Sequence, residues 1–174
     1  MRAANVRIAA RVLAIVVVGA TCALSGCTYS FKGGSVPPNL KTVAIPIVAD
    51  QSGYGDPSLR DLFSTQLVQR FTSDNTLQLA DRTNSDSILE GVITDVKDAP
   101  LVLQGGETVA QRRITVTVHM TFTDLKQRKK LWEKDFNNWG NYPSGGGPSQ
   151  RATGITEAVR KLTEDILNET VAGW

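Results

Sequence analysis

The chain has 174 residues, 19 of them Lys or Arg and 17 Asp or Glu, for a formal charge of +2. That length holds one ordinary domain, and 41% hydrophobic with 21% charged residues describes a packed protein rather than a disordered one. Arg2, Arg7 and Arg11 all precede the one strongly apolar run; without that leader 16 basic residues face 17 acidic ones, which gives no bulk electrostatic case for nucleic acid.

The leader opens with a basic stretch, Arg2 to Arg11, followed by an apolar run from Val12 to Leu24. Those 13 residues fall short of the ~20 that a membrane-spanning helix needs, and small residues follow at Ser25 and Gly26. Residues 1–26 therefore read as a signal peptide, and the remainder as an exported, otherwise soluble protein. Leu24-Ser25-Gly26-Cys27 resembles the bacterial lipobox, in which cleavage falls just before a cysteine whose thiol carries a diacylglycerol. Cys22 leaves with the leader, so Cys27 has no partner for a disulfide, and one Cys with one His is too little for a tetrahedral zinc site. Cys27 is read as a lipid anchor. Two or three acyl chains hold firmly where one is marginal, because each buried CH₂ contributes about 0.8 kcal/mol.

Residues 27–40 read as a lipidated polar tether punctuated by Gly33-Gly34 and Pro37-Pro38, and residues 41–174 as one domain. Lys41 to Val48 alternates as a strand, with Pro46 marking an edge or an end. Asp56-Pro57 supplies an N-cap and a first-turn proline. Leu59, Leu62, Phe63, Leu67 and Phe71 then mark the buried face of a helix. A short strand is expected at Thr76 to Ala80. A longer one follows at Ser87 to Lys97, with Ile88, Val92 and Val96 on one face and Leu89 and Ile93 on the other.

The connector "APLVLQGGETVA" turns the chain back into the clearest strand, Arg112 to Leu125. There Ile114, Val116, Val118, Met120 and Phe122 alternate with threonines and His119. "KQRKK" makes a basic turn into a strand from Leu131 to Trp139. Asn141 to Ser149 reads as a Gly/Pro-rich loop. A second amphipathic helix runs from Thr153 to Val171 and buries Ile155, Val159, Leu162 and Ile166, with Glu157 and Lys161 paired at i, i+4. The order predicts an α+β two-layer sandwich: a mostly antiparallel sheet of four to five strands packed against two amphipathic helices.

Catalytic signatures are missing. His119 is the one histidine and sits among threonines on a polar strand face, and no Gly-x-Ser-x-Gly elbow exists. The loop "YPSGGGPSQ" lacks the Gly-Lys-Ser/Thr ending of a phosphate cradle. No enzyme, metal or cofactor is expected. Two features stand out. Arg112, Arg113, Lys126, Arg128, Lys129 and Lys130 bracket one strand and its turn; they suit phosphate contacts or, equally, a charged edge that resists aggregation. Leu101, Val102 and Leu103, with Trp132, Trp139, Tyr142 and Trp174, suit a binding rim or a core.

The stretches "CTYSFKGGSVPPNLKTVAIPIV", "ILEGVITDVKDAPL", "RRITVTVHMTFTDLK" and "LTEDILNETVAGW", in that order, resemble the LptE family of lipopolysaccharide-assembly lipoproteins. That resemblance implies a non-enzymatic protein anchored in the cell outer membrane and facing the periplasm. It also implies a partner, the LptD β-barrel translocon, whose lumen such proteins plug, and contact with lipopolysaccharide. Thr28, next to the lipidated cysteine, is not the Asp that signals inner-membrane retention in many bacteria. Cys27 maps onto the family's lipidated residue, whereas Arg112, Arg113, Arg128, Lys129 and Lys130 are offered for lipopolysaccharide on physical grounds. The rival readings are an interaction module of another envelope assembly and a lipid-anchored hydrolase with an unfamiliar acid pair.

Overall fold

A computed structural model describes residues 36–101 and 111–172. Along that chain run β1 (Thr42–Ala44), β2 (Ala49–Asp50), helix α1 (Pro57–Asp74), β3 (Gln78–Leu79), β4 (Ser87–Leu101), β5 (Gln111–Asp124), β6 (Lys129–Pro143) and helix α2 (Pro148–Ala172). The long strands β4, β5 and β6 form an antiparallel meander, and the order across the sheet is β3-β1-β4-β5-β6. The short strands join in parallel: β1 pairs with β3 and with β4, and β2 pairs with β4 further along. The result is a mixed six-stranded sheet with two helices, the α+β class that the sequence implies.

The periodicity of β5 shows why the sheet has two unlike faces. Ile114, Val116, Val118, Met120 and Phe122 are fully buried, while the alternating threonines and His119 stay half-exposed. Leu59, Phe63, Leu67 and Phe71 of α1 and Ile155, Val159, Leu162 and Ile166 of α2 share one core with them. Each such side chain contributes about 1.5–3 kcal/mol on burial. Helix α1 starts as its sequence requires: Asp56 Oδ1 accepts from the Ser58 N–H at 3.0 Å, and Pro57 takes the first turn. It stops at Asn75, whose left-handed φ of 58° lets its N–H reach the Phe71 carbonyl at 3.0 Å.

Several elements differ from the sequence reading. Lys41 to Val48 is not one strand; pairing stops at Ala44 and resumes at Ala49, because Pro46 has no N–H for the ladder. The Val48 N–H instead donates to Ser64 Oγ on α1 at 3.1 Å. In β4 an extra residue at Thr94 bulges out between the Ile93–Val118 and Asp95–Thr117 pairs. That shift turns Val96 onto the core face opposite Val116, away from Ile88 and Val92, with which plain alternation grouped it. Asn141–Pro143 belongs to β6 rather than to a loop, and α2 begins at Pro148, five residues before the expected Thr153. The folded unit also takes in Val36 and Leu40, which pack on the core. Among the described residues no helix is long and apolar enough to cross a membrane.

Candidate functional site

The basic residues singled out in the sequence do not form one patch. Arg112 and Arg113 open β5, whereas Lys126, Arg128, Lys129 and Lys130 lie beyond its other end; the run from Arg112 to Asp124, at about 3.4 Å per residue, separates the groups by about 40 Å.

At the first end the chain builds a cleft of about 710 Å³ between the start of α2, the end of β4 and the loop before α1. Asp98 stands at its centre. Its carboxylate accepts from Arg112 Nε at 2.9 Å and from the Tyr142 hydroxyl at 2.5 Å. Arg151 Nε lies 3.1 Å from Asp98 Oδ2, the oxygen that the Tyr142 hydroxyl also reaches, close enough for charge pairing but outside hydrogen-bond alignment. Arg112 Nε is also 3.0 Å from the Tyr142 oxygen, and these two partners hold the guanidinium above its usual pKa. Burial, reinforced by Asp98, pushes the Tyr142 hydroxyl up. The guanidinium of Arg151 sits 4.9 Å from the ring centre of Tyr54, whose hydroxyl is also raised, chiefly by burial.

Arg113 points away from this cluster, on the sheet face opposite the helices. Its Nε donates to Asn141 Oδ1 at 3.1 Å, and its guanidinium lies 4.8 Å from the ring centre of Trp139. Lys161 reaches the same ring from α2 at 5.4 Å and donates to the Trp139 carbonyl at 3.0 Å. Trp139 is 40% exposed, Tyr142 is buried, and Trp132 is half-buried against Phe122 and Phe136. The aromatics thus divide, Trp139 at the rim and the other two in the interior. Tyr54 and Arg151 escaped the sequence reading. The Gly-Tyr-Gly context of Tyr54, with positive φ at Gly53 and Gly55, and the late start assigned to α2 are the signals that bear on them.

At the second end the turn residues Lys126–Lys130 are all exposed. Lys126 pairs with Asp86, Lys130 with Glu133. Midway along the open sheet face, His119 stands between Asp135 at 2.7 Å and Glu133 at 3.0 Å, and both carboxylates raise its pKa. With each ring nitrogen taken, His119 has none left to activate a nucleophile. Among the described residues no group of three or more His, Cys, Asp or Glu is placed to hold a metal ion. Cys27, Val102, Leu103 and Trp174 lie outside the described residues.

Residues 40–170 match the LptE family model, described as lipopolysaccharide-assembly. No curated protein matches the sequence. In three dimensions the chain is similar to a hypothetical protein of Chlamydia trachomatis, with 12% identity, 75% of this chain and 95% of that chain covered, and a TM-score of 0.56. It is similar to a minor lipoprotein of Acinetobacter baumannii at 17% identity, with 75% and 91% covered and a TM-score of 0.51. It also resembles the PelC dodecamer subunit of Paraburkholderia phytofirmans at 12% identity, with 80% and 94% covered and a TM-score of 0.50. At such identities the likeness is one of fold.

Proposed function

The chain belongs to the LptE family of lipopolysaccharide-assembly proteins, and from that premise we propose that it is a non-enzymatic outer-membrane lipoprotein that partners the LptD β-barrel and contacts lipopolysaccharide. The family match carries this reading, because it runs from Leu40 to Thr170 and so spans the sheet and both helices. In this reading acyl chains on Cys27 hold the domain at the periplasmic surface of the outer membrane. Encounter with the barrel becomes a search in two dimensions at raised effective concentration. The compact two-layer domain, polar on its open sheet face, suits a wide water-filled lumen.

Lipopolysaccharide carries phosphorylated sugars, and the Arg112–Arg113 end offers what they need. Arg112 is pinned by Asp98 and Tyr142, while Arg113 and Trp139 present a guanidinium and an indole on the opposite sheet face at the same end. Charge-assisted bonds to phosphate and stacking on sugar rings are the contacts this set provides. Arg128, Lys129 and Lys130, about 40 Å away along β5, cannot share one sugar headgroup with them. Tagging the protein at its C-terminus, crosslinking intact cells and purifying under denaturing conditions tests the partnership. A large outer-membrane β-barrel protein is expected in near-equal amount. Capture of a different envelope assembly in its place would overturn the reading.

A further inference from the structure

The N-terminal segment enters the fold beside the turn between β5 and β6. Asn39 Nδ2 donates to Asp124 Oδ2 at 3.0 Å, and the other oxygen of this buried carboxylate accepts from the Gln127 N–H at 2.8 Å. One side chain therefore grips both the incoming chain and the turn. A second does the same: Asp86 Oδ2 accepts from the Lys41 and Thr42 N–H groups at 2.8 and 3.1 Å, and Lys126 closes on its other oxygen. The Leu125 N–H adds a bond to the Asp86 carbonyl at 2.8 Å.

Residues 39–42 and 124–127 are thus one fixed unit, and its exposed surface is positive. Lys126 and Lys130 spend their charge on Asp86 and Glu133, but Lys41, Arg128 and Lys129 make no ion pair among the described residues. Protection against strand-to-strand association does not explain Lys41 and Arg128, which lie outside the strands, Arg128 at a left-handed φ of 54° in the turn itself. From Val36, packed on the core, nine residues lead back to Cys27, a reach of at most about 30 Å.

We propose that this turn is a second membrane contact, in which Lys41, Arg128 and Lys129 dock on the anionic phospholipid headgroups of the leaflet that holds the acyl chains. The proposal rests on the lipid attachment at Cys27. Unpaired cations act over a screening length of only about 8 Å at physiological ionic strength. A short tether that delivers them to the surface is what makes them effective. Acyl insertion and a basic patch are the two signals whose combination anchors a protein stably. One end of the domain is then fixed at the bilayer, and the Arg113–Trp139 end points away from it.

The lipidated full-length chain is reconstituted on vesicles of phosphatidylcholine alone and on vesicles with phosphatidylglycerol added. Amine acylation read by peptide mass spectrometry then follows Lys129 against Lys97, an exposed lysine of β4. Lys129 labelling is expected to slow about tenfold on the anionic vesicles, to recover in ~1 M salt, and to leave Lys97 unchanged. The double variant Lys41→Glu/Lys129→Glu is expected to float with both vesicles, melt as the parent does, and exchange between anionic vesicles about tenfold faster. Equal Lys129 labelling on both vesicle types, with the protein bound to both, would overturn the turn contact alone. Slowing only on lipopolysaccharide-containing vesicles would overturn the phospholipid assignment. Failure to float with either vesicle would overturn the lipid attachment, and this proposal with it.

Discussion

Asp86 and Asp98 are both mostly buried carboxylates near sheet ends, and they do different work. Asp86 ties the start of β1 to the β5–β6 turn; Lys126, then the Lys41 amide, hold its pKa down at about 2. Because the folded-state pKa lies below the ordinary carboxylate value, this stabilisation is complete above about pH 4 and disappears as pH falls toward 2. Asp86→Asn is expected to cost about 2 kcal/mol at pH 7 and to flatten the loss of stability between pH 4 and pH 2, read as melting temperature against pH. Asp98 instead gathers Arg112, Arg151 and Tyr142 from three elements and so leaves Arg113 as the outward cation of that end. Arg113→Glu should weaken binding of purified lipid A about tenfold or more, with Arg113→Lys nearer the parent, measured by titration in detergent. Neither role could be picked out beforehand. Positions 98, 112, 142 and 151 share no sequence spacing, and only strand register and the first turn of α2 bring them together.

Elements were legible where one face is buried along their whole length. Strand β5 announces itself because five apolar residues alternate without a break, and α1 because an Asp-Pro start precedes a regular apolar face. The first turn of α2 is exposed and polar, so apolar periodicity begins only near Ile155 and the helix reads as starting late. The Thr94 bulge leaves no composition mark, and the parallel additions of β1, β2 and β3 depend on long-range pairing that alternation does not encode. The α2–β6 contact supplies a sharp test. A Cβ at Gly140 would lie 2.0 Å from the Gly154 carbonyl oxygen, so strand and helix backbones must separate to admit it. A Cβ at Gly154 would meet side chains of Ile114 and Tyr142 at 3.2 Å, which can give. Gly140→Ala should therefore destabilise by about 3 kcal/mol and Gly154→Ala by under about 1 kcal/mol in urea unfolding.

At the scale of the whole molecule the polar sheet face, the Arg113–Trp139 rim and the basic turn lie on a single scaffold whose core is mainly apolar. Among the described residues His119 is held by two carboxylates, and Arg112 and Tyr142 are both hydrogen-bonded to Asp98. On the proposed function such a body works by being in the right place, which makes lipopolysaccharide at the cell surface the decisive quantity. The most direct measurement is the amount of lipopolysaccharide reaching the cell surface as the native protein is depleted. The account predicts that surface lipopolysaccharide falls while it accumulates inside the envelope, and that the intact chain restores it. Undiminished surface lipopolysaccharide after complete depletion would contradict the account.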